Sequence, residues 1–141
     1  RVHSTQLDVT QETRLGDIIS RKLKEHPGEN AFYPLVRGDE ALVARLVSIR
    51  LAERLLDLQY YIWHDDLSGK FLLSEVYKAA ERGVRVRLLL DDLNQSKFQK
   101  ELCILDKHPR IEVRMMNPFA HREFQAIDLT RFKKVNRRMH N

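Results

Sequence analysis

At 141 residues, with 43% apolar and 32% charged residues, the chain is long enough for one domain with a buried core and has the composition of an ordinary globular protein. Its single cysteine, Cys103, excludes an intramolecular disulfide, and no apolar run reaches the roughly 18–20 residues of a membrane-spanning helix or forms the core of a secretion signal. The formal charge of +5 is unevenly placed, because residues 1–118 hold 19 Lys/Arg against 18 Asp/Glu while residues 119–141 hold six against two. A local basic cluster of this kind favours an anionic partner, phospholipid headgroup or nucleic acid, without choosing between them.

In chain order, residues 1–9 are polar and read as a frayed terminus. Thr10 is placed to cap a helix whose apolar positions Leu15, Ile18, Ile19 and Leu23 keep helical spacing, with Pro27-Gly28 ending it; such a helix docks on a domain. Ala31 to Val36, interrupted by Pro34, suits either an edge strand or an extended entry segment. Gly38-Asp39 opens a second helix, with Leu42, Leu46 and Ile49 facing inward and Arg45, Arg50 and Glu53 outward. Leu55 to Trp63 alternates as a strand, setting Leu56, Leu58, Tyr60 and Ile62 on one face and Asp57, Gln59, Tyr61 and Trp63 on the other. Tyr61 and Trp63 are either packing aromatics or, near the strand's end, residues at the mouth of a site.

Asp65, Asp66 and Ser68 offer caps for a third helix, whose Leu72, Val76, Ala79 and Ala80 face inward and whose Gly83 suits a left-handed end. Val84 to Leu90 is a strand that becomes continuously apolar, completing a βαβ unit for which a right-handed crossover is expected. Asp91-Asp92 follows at the end where open α/β sheets bind ligands, but before Asn94 and Ser96 the pair reads as turn and cap residues, with no further ligand spacing for a metal. Phe98, Leu102 and Leu105 mark a fourth helix, in which Cys103 reads as a small core residue; Ile111 to Met115 is a strand stopped by Asn117-Pro118. The expected fold class is α/β, a largely parallel sheet flanked by helices, with elements alternating α, β four times. Residues 119–132 have no period and read as a loop whose Phe119, Phe124, Leu129 and Phe132 anchor it or form an apolar lip. The basic run from Arg131 to Arg138 leads into a presumed strand carrying His140.

The last six residues, Asn136-Arg137-Arg138-Met139-His140-Asn141, resemble the start of the histidine-x-lysine-x4-aspartate motif of the phospholipase D superfamily, in its bacterial cardiolipin synthase branch. The lysine would fall two positions beyond His140. Leu58-Gln59-Tyr60-Tyr61-Ile62-Trp63 followed by Asp65-Asp66 is similar to the same branch, as are residues 82–92, 108–114 and 117–119. From Ala31 to Asn141 the chain resembles the first part of a C-type member, a phospholipase D-like half-domain left incomplete inside its first motif, with residues 1–30 an amino-terminal extension.

The resemblance implies a phosphatidyltransferase that makes cardiolipin from phosphatidylglycerol and a second phospholipid. It implies a phosphohistidine intermediate, neither metal nor cofactor, and His140 as one of two catalytic histidines; Arg137 and Arg138 in the basic run and Tyr61 and Trp63 near the strand's end are the candidate substrate contacts. Imidazole suits either nucleophile or acid because it titrates near neutrality. Without the motif lysine, aspartate and second motif, these 141 residues are expected to be inactive alone and to need the remainder of their chain or a second subunit. The implied location is peripheral, on the bacterial inner membrane, with anionic phospholipid as partner. A phospholipase D-like nuclease and a non-catalytic anionic-membrane binding module are the alternatives. A half-sheet of this kind exposes a strand edge and is expected to associate when isolated.

Overall fold

The computed structural model describes residues 5, 12–92 and 99–118. Within them the order is α1 (Arg14–Glu25), α2 (Gly38–Leu51), β1 (Leu55–Tyr60), α3 (Leu67–Glu81), β2 (Arg85–Asp91), α4 (Gln99–Leu105) and β3 (Ile111–Met116). The strands form one parallel sheet in the order β1-β2-β3. The α/β class and the parallel pairing therefore agree with the sequence.

Each strand is positioned by a row of apolar residues facing the helices. Leu58, Leu88 and Val113 share one row across the sheet. Val76, Ala79, Val84, Val86, Leu88 and Leu90 are all at most 1% exposed and form the centre of the core. Full burial of one such leucine or valine stabilises by about 1.5–3 kcal/mol. The helix α3 packs on β2, α4 on β3, and α2 on α3.

Local signals set the element ends. Asp66 caps α3, its carboxylate accepting from the Gly69 N–H at 2.7 Å and from the Ser68 hydroxyl at 2.7 Å. Gly83, with φ of +98°, lets the chain leave α3 in the left-handed region. Asn117 takes φ of +52° directly after β3, a conformation asparagine tolerates.

Four readings change. The first helix begins at Arg14 and is capped by Thr13, whose Oγ1 accepts from the Gly16 N–H at 3.0 Å; Thr10 lies outside the described residues. Ala31 to Val36 is extended without ladder partners, so the alternation of four strands reduces to three among the described residues. Pro34 supplies the reason, since it cannot donate to a ladder. β1 stops at Tyr60, which frees Trp63 from the strand's two-residue alternation. Cys103 is exposed rather than in the core, because α4 turns Leu102 and Leu105 inward and leaves the next position outside.

Candidate functional site

The carboxyl ends of the parallel strands converge on a short edge where α/β domains usually bind ligands. β1 delivers Tyr60 and Tyr61, β2 delivers Asp91, and β3 delivers Met116. Just beyond β1, the turn into α3 walls a cleft of about 270 Å³ lined by Arg45, Tyr60, Trp63, His64, Asp66 and Ser68 among others.

Trp63 is the structural pivot of this cleft. Its side chain is 5% exposed, its indole N–H donates to the Gly69 carbonyl at 3.1 Å, and its ring meets Tyr60 edge-on at 4.7 Å between centroids. Burial pushes the Tyr60 phenol up from its ordinary pKa. Gly69 is required here, because a Cβ at this position would stand 2.0 Å from the His64 carbonyl oxygen. The Asp66 carboxyl is held below its usual range by the Gly69 N–H and then by the Ser68 hydroxyl. The turn is thus locked from three sides: by its cap, by the indole, and by the absence of a side chain at Gly69. Tyr61 is half-buried directly after β1, and His64 is exposed at the cleft's rim.

Asp91 and Asp92 are the residues that sequence reasoning undervalued. They read as turn and cap residues, yet they are 0% and 4% exposed, at the end of the central strand. Carboxylates are seldom buried to this degree unless paired, and both are engaged by partners in the fold. The available signal was position: a central parallel strand is covered on the side where its last residues turn inward, so a polar residue there is enclosed rather than solvated.

The opposite face of the sheet is charged. Asp57, Arg87 and Glu112 lie in one row of the strand register, and Gln59, Leu89 and Arg114 in the next, lining a groove of about 410 Å³. The Arg87 guanidinium forks onto both Asp57 carboxylate oxygens, with Nε at 2.7 Å, and this raises the arginine's pKa. Arg114 donates to Glu112 at 2.6 Å.

Of the sequence-derived site residues, Tyr61 and Trp63 both follow the carboxyl end of β1, but only Trp63 lines the cleft, as a buried wall rather than an exposed contact, and Tyr61 is not among the lining residues. His140, Arg137 and Arg138 lie outside the described residues, as do Phe119, Phe124, Leu129 and Phe132. Among the other histidines, His108 is bound to Glu81 at 2.9 Å and packs edge-on against Tyr77, and His26 meets Glu29 at 3.1 Å. Among the described residues no group of three or more His, Cys, Asp or Glu side chains is arranged to hold a metal, and no helix is long and apolar enough to cross a membrane.

A parallel α/β sheet with buried acids and an aromatic-walled cleft at its carboxyl edge defines the class of domain. No protein-family model matches the chain, but individual proteins do. Cardiolipin synthase C of Escherichia coli K12 is 47% identical over 129 residues, covering 91% of this chain and 27% of that protein. Cardiolipin synthase 2 of Staphylococcus epidermidis is 37% identical over 95 residues, 58% of this chain and 19% of that one. Cardiolipin synthase of Staphylococcus aureus is 33% identical over 104 residues, 64% of this chain and 21% of that one. Over 91% of its own length the chain is thus similar to part of a bacterial cardiolipin synthase, and shorter stretches are similar to two others. It spans 19–27% of the length of these relatives.

Proposed function

We propose that the chain is the amino-terminal part of a phosphatidyltransferase that makes cardiolipin from phosphatidylglycerol and a second phospholipid, working at the surface of the bacterial inner membrane. The observation that carries this reading is the 47% identity to a cardiolipin synthase across 91% of the chain. In this reading residues 1–30 are an extension, residues 31–141 belong to the catalytic domain, and the carboxyl edge of the sheet faces the reacting phosphate.

The proposed chemistry needs a nucleophile, an acid and a cationic cradle. The His140 imidazole attacks the phosphorus of one phospholipid, phosphatidylglycerol or the second lipid; the bond to its headgroup alcohol breaks, and a second histidine from the remainder of the chain or a second subunit protonates the departing oxygen. The free glycerol hydroxyl of a phosphatidylglycerol molecule then displaces the imidazole, returning its own proton to the acid-base partner. A phosphohistidine is the intermediate, and neither metal nor cofactor takes part. Arg137 and Arg138 hold phosphate oxygens by charge-assisted hydrogen bonds, Tyr61 contacts the headgroup, and Trp63 shapes the cleft beside it. The 141 residues alone supply one motif histidine and turn over no lipid.

The test uses the complete protein with phosphatidylglycerol alone and with phosphatidylethanolamine added, and reads products by mass spectrometry for wild type and His140→Ala. Wild type forms cardiolipin and His140→Ala forms none; the two mixtures show whether the second lipid takes part. Folded wild type that makes no cardiolipin from either mixture would refute the reading and turn attention to nucleic-acid phosphodiesters or to a membrane-binding module.

A further inference from the structure

Two helices carry apolar surface that the core does not use. No residue of α1 is buried, and its stripe of Leu15, Ile18, Ile19 and Leu23 is 49–58% exposed. The polar side of α1 is cationic, with Arg14, Arg21, Lys22 and Lys24 against Asp17 and Glu25. Polar ties hold this end of the chain to the domain surface: Arg14 binds Glu53 through its backbone N–H at 2.8 Å and its guanidinium, Glu12 meets Arg54 at 3.1 Å, and the Arg85 guanidinium donates to the Thr5 carbonyl at 2.7 Å. Behind them lies a groove of about 600 Å³ between Leu15, Ile19 and Leu23 on one wall and Leu51, Ala52 and Leu55 on the other.

The exposed apolar surface extends beyond α1. The linking segment holds Phe32, Tyr33 and Val36 at 85–91% exposure. On α2, Val43, Val47 and Leu51 repeat every fourth residue and are 45–57% exposed, opposite the buried Ile49. A helix that is apolar around its circumference is one covered on more than one side. Patches of this extent mark interaction surfaces.

We propose that α1, the segment from Phe32 to Val36 and the outer stripe of α2 form the surface by which the protein rests on an anionic phospholipid bilayer. Charge and residue type select this occupant. Amphipathic helices with lysine and arginine on the polar face lie in the headgroup plane with aliphatic side chains below it. Tyrosine and phenylalanine beside such a helix settle at the same depth. The aliphatic groove opens between α1 and the domain, so acyl chains fill a gap that protein side chains leave unpacked. The proposal rests on the membrane reading above and names the part of the chain that makes the contact.

The test is co-sedimentation of the complete protein with vesicles of phosphatidylglycerol and phosphatidylethanolamine, and with vesicles of phosphatidylcholine alone. Three variants are compared with wild type: Leu15→Ser/Ile19→Ser/Leu23→Ser, Lys22→Glu/Lys24→Glu, and Phe32→Ala/Tyr33→Ala. Circular dichroism reports that each remains folded. Wild type binds the anionic vesicles more tightly than the neutral ones. Each aliphatic side chain withdrawn from hydrocarbon costs about tenfold in affinity, so the triple variant loses about a thousandfold. The lysine variant loses its preference for anionic vesicles.

Variants that fold and bind anionic vesicles as wild type does would overturn the proposal. So would a wild-type dimer by sedimentation velocity that the α1 variant dissociates without change in vesicle binding, since a second copy would then be the occupant. Cardiolipin formation separates this proposal from the functional reading. The variants lose activity on vesicles and keep it on phosphatidylglycerol dispersed in detergent. A wild type that binds through α1 but forms no cardiolipin in either medium leaves the surface standing and removes the reaction.

Discussion

Replacing Gly69 with alanine should destabilise the protein, although alanine is the better helix former. The built Cβ stands 2.0 Å from the His64 carbonyl oxygen, against ordinary contacts of 3.4 Å and more, so the backbone must give by about 1.4 Å. The obstacle is main chain and cannot rotate away. Overpacking of this kind costs about 1–3 kcal/mol, and the shift also loosens the Trp63 bond to the Gly69 carbonyl, about 1 kcal/mol more. The gain in helix propensity offsets at most about 1 kcal/mol. The net expectation is a loss of about 1–3 kcal/mol. Urea unfolding followed by Trp63, the single tryptophan of these 141 residues, measures this at the site itself. Gly38→Ala is the control: its Cβ meets nothing within 4 Å, and it should be neutral or slightly stabilising. A Gly69→Ala midpoint equal to that of wild type, with unchanged slope, would show that the turn before α3 is not the locked structure described.

Three further outcomes are expected. Asp66→Ala removes the cap of α3 and should cost about 0.5–2 kcal/mol in the same urea assay. Leu88→Ala, in the middle of the central strand at 1% exposure, should cost about 2–5 kcal/mol, and a smaller loss would mean that the core around β2 can collapse into the space. Glu75, 4% exposed between Arg50 at 2.6 Å and Lys78 at 2.9 Å, has its pKa lowered to about 2, chiefly by the hydrogen bonds from those two cations. The folded carboxyl binds its proton less readily than the unfolded one. Its contribution is therefore complete above the unfolded value near 4.5 and is lost as pH falls from there toward 2. Glu75→Gln should flatten that limb of a stability-against-pH curve, and an unchanged slope would place the acid sensitivity in other carboxylates.

Local rules made much of this fold readable. Leu72, Val76, Ala79 and Ala80 recur at helical spacing, and all four are buried. Asp66 and Gly83 mark the ends of α3 through chemistry confined to one turn, a side-chain oxygen meeting a free N–H and a residue without a Cβ. Length and β-branched content separate Val84 to Leu90 from a helix. The family was legible because Tyr60-Tyr61-Ile62-Trp63 and Arg137-Arg138-Met139-His140 are short chemical strings, readable without coordinates.

What escaped the sequence depends on neighbours distant along the chain. Trp63 was ambiguous until the end of β1 at Tyr60 released it to bind Gly69, six residues on. Cys103 lies outside the core because α4 directs Leu102 and Leu105 at β3, a choice of face that a seven-residue helix cannot announce. The acids of Asp91 and Asp92 look like turn residues in isolation, and their burial follows only from β2 being the central strand. By itself the sequence indicated the four helices, three of the four expected strands, their parallel pairing and the family resemblance, since spacing, caps and motifs act within a few residues. Only the tertiary structure decided which side chains are enclosed and which apolar faces stay open, because burial is set by what packs across the sheet rather than by what is adjacent in the chain.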